Sequence, residues 1–401
     1  MKLIERPKYL KELIQYKDQP VIKVITGARR VGKSTIRGMY FNYLLNNDVQ
    51  ESNIFRFNLD DIENSNLLEA KSLYDSIVEK IDTFQKYYVI LDEIQVVQDW
   101  QKVVNSLLLK GNIDVTISGS NAYLLSGELG TFLTGRYVSI KVLPLSFLEY
   151  SNFFDTQNED RLFAEYQNNS ALPQAVNFRA QNISDRVYLE DVLNNILFKD
   201  VVERYSIRDI SKLQRLLAFI AESIGSQLSI NNISNVLKNE GLDISQNTIA
   251  DYLSALKNSF LIYALKRFNI SGKNVLRTNE KHYIVDLGIK MLLTNKASQD
   301  VGKNLENTVF LELLRRYSNV MTGEIDGNEV DFIVEDGDKT KIEYFQVTET
   351  MRDEKTRERE LKSLQLIKDS YPKTVLSMDL DPVQNIDGIR IVNLVDWLLG
   401  R

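Results

Sequence analysis

Residues 27–34 read Gly-Ala-Arg-Arg-Val-Gly-Lys-Ser, the GxxxxGK[ST] pattern of a phosphate-binding loop. The five residues Val21-Ile22-Lys23-Val24-Ile25 before its lead-in are β-type. The stretch Thr35–Leu45 after it suits a helix. A strand, a glycine-rich turn and a helix N-terminus in that order commit this part of the chain to an α/β fold. Gly27 and Gly32 allow the backbone to turn tightly and aim N–H groups at phosphate oxygens. The expected nucleotide contacts are therefore Gly27, Ala28, Arg29, Arg30, Val31, Gly32, Lys33, Ser34 and Thr35. Lys33 would reach the β- and γ-phosphates, and Ser34 would offer its hydroxyl to Mg²⁺.

A second apolar run, Tyr87-Tyr88-Val89-Ile90-Leu91, ends in Asp92-Glu93. Near-continuous apolar sequence marks a parallel strand buried on both faces, and ligands collect at the carboxyl ends of such strands. Asp92 is the expected Mg²⁺ ligand and Glu93 the residue that orients or deprotonates attacking water. A third run, Ile113–Ile117, leads into Ser118-Gly119-Ser120-Asn121, where Ser120 and Asn121 are placed to sense a γ-phosphate. Arg136 precedes the strand-like Tyr137–Val142. AAA+-type ATPases carry an arginine finger at that place, acting in trans on charge that develops at the transferred phosphoryl group. The plain alternative for Arg136 is a surface or ion-paired arginine.

Composition narrows the field. With 401 residues there is room for two to four domains. No apolar run approaches the ~18 residues that span a bilayer, and Met1–Pro7 has no signal-peptide core. The chain has no cysteine, which removes disulfides, cysteine-ligated zinc and a thiol nucleophile, and fits a cytoplasmic protein. His282 is the only histidine and is read as structural. Any metal is then a hard cation held by carboxylates and phosphates, Mg²⁺ first.

Residues 1–147 read as the nucleotide-binding domain, with a further strand at Ile54–Asp60. Residues 148–225 turn mostly helical, broken at Pro173. They are read as a helical lid or linker, with a structural spacer as the alternative. In 226–290 two helices, Ile230–Lys238 and Ser245–Leu256, flank a turn at Gly241, with Ser245 as N-cap. Leu261–Leu265 and His282–Val285 are candidate strands of a wing, giving a winged helix. The net charge of the chain is −6. Between Lys257 and Lys281, however, stand Lys257, Lys266, Arg267, Lys273, Arg277 and Lys281 with Glu280 as the only acid, which suits phosphate contacts. Winged helices also dock proteins, so both partners stay open. Residues 291–401 form a third unit: a helix from Asn304 to Tyr317, a hairpin of Glu329–Val334 and Ile342–Val347 about Asp336-Gly337, a helix Arg357–Lys368 and a strand at Lys373–Ser377.

The whole chain resembles a prokaryotic family of AAA-type ATPases whose C-terminal part is catalogued as domain of unknown function 4143. The resemblance rests on 27–34, Leu91-Asp-Glu-Ile-Gln95 with Trp100, Ser118-Gly-Ser120, Thr134-Gly-Arg136, Leu143–Glu149, Lys281-His-Tyr283 with Asp286, and Leu305-Glu-Asn307. It implies a C-terminal restriction-endonuclease-like, PD-(D/E)XK fold, in which acids and a lysine hold metal and activate water. The matching positions here are Glu306, Asp331 and Gln346. Tyr344 stands where a carboxylate belongs and Gln346 where the lysine does. Residues two apart share a strand face, so Glu343 points away from Gln346. The resemblance therefore implies a domain that has lost nuclease activity.

The leading expectation is an ATP- and Mg²⁺-dependent, homo-oligomeric motor or remodeller that binds DNA, branched or recombining DNA included, and no membrane. The alternatives are an ATP-gated switch acting on a protein partner and an ATP-regulated endonuclease.

Overall fold

The apolar runs of the first 144 residues become five parallel strands: β1 (Ile22–Thr26), β2 (Ile54–Asn58), β3 (Tyr87–Asp92), β4 (Ile113–Gly119) and β5 (Tyr137–Lys141). Their order in the sheet is β2-β3-β4-β1-β5. The three central strands β3, β4 and β1 are buried along their whole length, which is why they read as unbroken hydrophobic stretches. The chain is described by a computed structural model over residues 4–122, 135–154, 158–294, 300–337, 342–381 and 384–401. It divides into two units, Met1–Pro144 with Asn258–Phe260, and Leu145–Lys257 with Leu261–Arg401.

In the first unit, Val24 of β1, Val89 and Leu91 of β3, and Val115 and Ile117 of β4 share one core. The same core takes Leu73 and Ile77 of the helix Ala70–Val78 and Val104 and Leu107 of the helix Trp100–Leu109. The one charge inside β1, Lys23, is ion-paired with Asp114 of β4, whose other oxygen accepts from Asp18 N at 2.8 Å. Phe132-Leu133-Thr134 lie outside the described residues.

The second unit opens with short helices, Phe147–Phe154, Glu159–Gln167 and Pro173–Ala180, then Arg186–Asn195 continuing into a π-helical turn at Ile196–Glu203, and Ile210–Glu222. Pro173 stands at the first helical position, where its missing N–H costs nothing, so it starts a helix instead of breaking one. Asn158 caps the helix before it by accepting from Arg161 N. The helical segment therefore has more breaks than the sequence suggested.

Two helices, Ile230–Asn239 and Gln246–Asn258, follow. Ser229 caps the first and Ser245 the second, the latter accepting from Thr248 N at 3.1 Å. The remaining strands are β6 (Gln227–Leu228), β7 (Ile262–Asn269), β8 (Asn274–Ile284), β9 (Asn319–Ile325), β10 (Asn328–Glu335), β11 (Ile342–Thr348), β12 (Lys373–Ser377), β13 (Asn385–Ile386) and β14 (Ile389–Asn393). All nine belong to one sheet, ordered β13-β14-β12-β11-β10-β9-β7-β8-β6. The hairpin β7–β8 is thus longer than the wing read from the sequence. Its strand β7 pairs in parallel with β9 through Arg267↔Thr322, Phe268↔Gly323 and Asn269↔Glu324. A helix Val301–Arg316 carries Glu306, and β10 pairs antiparallel with β11 at Phe332↔Phe345 and Ile333↔Tyr344. Among the described residues no helix is long and apolar enough to cross a membrane.

Candidate nucleotide site

The loop 27–34 leaves the carboxyl end of β1 and runs into the helix Lys33–Asn46. Gly27 has φ +146°, and a Cβ there would stand 2.1 Å from the carbonyl oxygen of Val142. Gly32 has φ +99° and serves as the helix N-cap. Both glycines are therefore required by geometry. Lys33 Nζ donates to the loop's own carbonyls, Gly27 O at 2.9 Å and Ala28 O at 3.0 Å. The loop is braced from below by Arg6, a buried arginine the sequence reading passed over. Arg6 donates to Val31 O (2.8 Å) and Pro144 O (3.2 Å) and lies over the Tyr9 ring. Nothing in the local sequence marks it, because both carbonyls come from elsewhere in the chain.

Strand β4 lies between β1 and β3, so its end is interleaved between the loop and the two acids. Ser118 Oγ donates to Asp92 Oδ1 at 2.5 Å. Ser120 Oγ donates to Glu93 Oε2 at 3.3 Å, and Gln95 Nε2 donates to that same oxygen. Glu93 takes a left-handed backbone (φ +50°) as the strand turns into a 3-10 turn at Ile94–Val96. Asn121 is buried beside Ser120 in the chain. Burial pushes the Asp92 carboxyl above its usual range, against the opposing pull of the Arg37 guanidinium and the Ser118 hydroxyl. Lys33, Ser34, Asp92, Glu93 and Ser120, foreseen from sequence, come together at one end of the sheet, joined by Arg37, which was not, and by Ser118, which the sequence placed at this strand end without its bond to Asp92. Arg37 Nη2 donates to Ser34 Oγ at 3.0 Å and is ion-paired with Asp92 Oδ2. The hydroxyl of Ser34 and the carboxylate of Asp92 thus converge on one cationic atom. They are hard oxygen donors of the kind Mg²⁺ takes.

Arg136 sits at the other end of the sheet. Its neighbour Tyr137 pairs with Ile22 at the start of β1, while the loop follows Thr26 at the end. At ~3.3 Å per residue the two ends are roughly 15 Å apart. Arg136 is exposed, and Nη1 donates to Asn105 Oδ1 at 2.9 Å. It does not reach the phosphate loop of its own chain.

The basic residues of 257–281 are scattered in role. Lys266 and Lys273 are exposed. Lys257 pairs with Glu280 at 3.4 Å, and Arg267 pairs with Glu324 of β9. The side chain of Arg277 lies outside the described residues. Lys281 is only 1% exposed, paired with Glu306 Oε1 at 2.8 Å, with Asp331 Oδ1 at 3.6 Å and with Glu329. Counting charge along the sequence missed this, because the acids arrive from β10 and from the helix Val301–Arg316. This placement takes Lys281 out of any phosphate-facing set.

The three residues carried over from the nuclease pattern do meet. Gln346 Oε1 accepts from Asp331 N at 2.6 Å, and Asp331 Oδ2 accepts from Val347 N at 2.9 Å. Glu306 reaches them through Lys281, and Tyr283 OH donates to Glu306 Oε1 at 2.6 Å. Gln346 Nε2 donates to Glu360 Oε2 at 2.9 Å, an acid the sequence reading did not single out. Glu343 lies opposite Val334 in the ladder and bonds Tyr317. Burial holds the Asp331 carboxyl well above the usual range, and Glu306 adds to the effect while Lys281 opposes it. Burial alone would lower the Lys281 ammonium, but Glu306, Asp331 and Glu329 together outweigh it and raise it. Among the described residues, no group of three or more His, Asp or Glu is arranged to hold a metal ion.

Residues 19–151 match the family described as AAA domain, and 160–300 match a domain of unknown function, DUF8612. That second match, and not domain 4143, is the one found beyond the AAA domain. An uncharacterized protein of Haemophilus influenzae is 39% identical over 402 residues, covering 99% of each chain. The chain belongs to the same family. Uncharacterized protein MJ1544 of Methanocaldococcus jannaschii is 30% identical over 380 residues, covering 90% of this chain and 80% of that protein. This family member carries an AAA-type P-loop ATPase domain in its first unit. The Walker-type ATPase PABY2304 of Pyrococcus abyssi aligns at TM-score 0.49 with 15% identity, over 73% of this chain and 96% of that one.

Proposed function

We propose that the chain hydrolyses ATP at the 27–34 loop as a homo-oligomer and couples turnover to DNA through its second unit. The observation that carries the reading is the convergence of Lys33, Ser34, Asp92, Glu93 and Ser120 at one sheet end. Lys33 exchanges the carbonyls of Gly27 and Ala28 for the β- and γ-phosphates, and the loop N–H groups hold the remaining oxygens. Ser34 and Asp92 would hold Mg²⁺, which neutralises charge on the phosphate oxygens. Glu93, oriented by Gln95 and Ser120, positions the attacking water, and Asn121 stands beside Ser120 as the second sensor. Arg136, too far from its own loop, stabilises the phosphoryl group bound by a neighbouring copy.

In this reading 148–225 act as the lid and 226–290 as a winged helix, with the exposed Lys266 and Lys273 as phosphate contacts. Residues 291–401 are a restriction-endonuclease-like domain of the kind catalogued as 4143, without hydrolysis. Its support is the meeting of Glu306, Asp331 and Gln346. A second reading, a switch that docks a protein, is favoured by the ion pairs that neutralise Lys257 and Arg267. An ATP-regulated endonuclease has less support, since an ammonium stands among the acids that would share a metal.

The test is ATP turnover with and without duplex and branched DNA. Lys33→Ala should abolish turnover, and normal turnover in that variant would end the nucleotide-site reading. DNA should stimulate the wild type. Neutralising Lys266 and Lys273 should flatten the salt dependence of DNA binding. No DNA binding at low salt would favour the protein switch.

A further inference from the structure

Ser34 and Arg37 are three residues apart on the helix Lys33–Asn46 and so share a face. Arg37 points back from that face toward the end of β3. A single guanidinium nitrogen, Nη2, bonds both Ser34 Oγ and Asp92 Oδ2, while Ser118 takes the other oxygen of Asp92. The side chains of Arg37 and Asp92 are only 15% and 10% exposed, so water does little to dilute the pairing. The two protein oxygens proposed to hold Mg²⁺ are therefore already bridged by a cation that belongs to the chain. The bridge is also incomplete on the arginine's side. Arg37 Nε is buried with no hydrogen-bond partner among the described residues. A planar donor fork fixed at one end and unsatisfied at the other loses less on leaving than a fully bonded one.

We propose that Arg37 is an internal counter-ion that occupies the Mg²⁺ position when no metal–nucleotide complex is bound, and that Mg²⁺ must displace it. The arginine keeps Asp92 and Ser34 drawn together in the resting state. It also sets a threshold, since Mg²⁺ entry requires breaking a charge-assisted bridge. The proposal rests on the reading of 27–34 and Asp92 as a Mg²⁺–nucleotide site.

The test uses full-length, EDTA-treated protein and a fluorescent ADP analogue, with MgCl₂ titrated into the mixture. The readout is the Mg²⁺ concentration at which nucleotide binding is half strengthened. Arg37→Gln should lower that concentration by about tenfold or more, the size expected for removing a charge-assisted hydrogen bond. Arg37→Lys retains the charge, but its stem ends one atom short of the Nη2 position that bonds both oxygens, so it should fall between the variant and the wild type. An unchanged midpoint in Arg37→Gln overturns the proposal. So does a midpoint in Arg37→Lys equal to that of the wild type, which would reduce the effect to general repulsion. If Arg37→Gln does not fold, Arg37→Lys carries the same decision. Should the wild type bind no nucleotide at any Mg²⁺ concentration, the site reading fails instead. Binding with an unshifted midpoint defeats the inference about Arg37 alone.

Discussion

Replacing Lys281 by methionine keeps the length of the side chain and removes the ammonium that pairs with Glu306, Glu329 and Asp331. The ammonium is 1% exposed and lies 2.8 Å from Glu306 and 3.6 Å from Asp331. With an effective dielectric near 20, the Glu306 contact is worth about 6 kcal/mol of attraction before desolvation is charged against it, and Asp331, whose carboxyl burial holds toward the neutral form, adds less. Glu329 is the most exposed of the three and counts least. Breaking a buried ion pair by deleting one partner typically costs about 3–5 kcal/mol. The second unit has roughly 250 residues, for which each kcal/mol lowers the melting temperature by about 2 °C. Lys281→Met should therefore melt about 6–10 °C below the wild type at pH 8, measured by circular dichroism or calorimetry. The pH dependence adds a second check. Asp331 is raised above its unfolded pKa by burial and by Glu306, so the folded state holds a proton that the unfolded state releases. Stability from that group is full below about pH 4 and is lost as pH rises toward the folded value. Without Lys281 the carboxyl climbs further, and at pH 5 the cluster sheds negative charge by protonation. The penalty should shrink between pH 8 and pH 5. A penalty under 2 °C at pH 8, or one that grows on acidification, would refute the role given to Lys281.

Two further expectations follow from single residues. His282 is buried, both ring nitrogens lack hydrogen-bond partners among the described residues, and burial holds its pKa down to about 4, with Glu280 opposing the shift. A depressed folded pKa means stability is lost as pH falls from about 6.5 toward 4, roughly 2 kcal/mol of it by pH 5. His282→Leu should escape that loss, so its melting temperature relative to wild type should rise by about 4 °C between pH 8 and pH 5. A flat difference would mean the imidazole does not titrate against folding. Glycines 27 and 38 should respond oppositely to alanine. Gly27→Ala meets the Val142 carbonyl at 2.1 Å and should cost about 1–3 kcal/mol while weakening nucleotide binding. Gly38 lies inside a helix with nothing among the described residues within 4 Å of a new Cβ, so Gly38→Ala should gain about 0.5–1 kcal/mol. Equal effects at the two positions in a denaturant titration would contradict the geometry.

The cluster of the candidate nucleotide site was legible wherever its residues are neighbours in the chain. The loop 27–34, the acids that end β3 and the serine that follows β4 each announce themselves through a strand and the turn after it. Arg6, Arg37 and the bond of Ser118 to Asp92 were not legible, because each acts on atoms brought from another strand or loop. Arg37 also looks like any polar residue on a helix. The same limit explains the second unit. Lys281 sits in a run of basic residues, and its charge is cancelled only after β10 and the helix Val301–Arg316 deliver their acids. Strand β9 escaped notice because Asn319–Ile325 carries Gly323 and few adjacent apolar residues. Without β9 the hairpin β7–β8 looked like a free wing.

That strand changes what coupling between ATP and the second unit can mean. β9 pairs in parallel with β7 and antiparallel with β10, so the hairpin continues the sheet that holds Asp331 and Gln346. Moving the hairpin alone would break the ladder at Arg267, Phe268 and Asn269, and would strip Arg267 from Glu324. It would also strain Lys281, which is anchored on β8 yet paired with acids on β10 and on the helix that carries Glu306. Buried backbone groups left unpaired and a buried ammonium without its carboxylates each cost more than one cation–phosphate contact at the hairpin returns. A displacement of the second unit as one body breaks none of these bonds. Under the proposed function, work done by ATP turnover would therefore be transmitted most cheaply by the sheet β6–β14 moving as a single element, with Lys281 as one of the pins that keep it so.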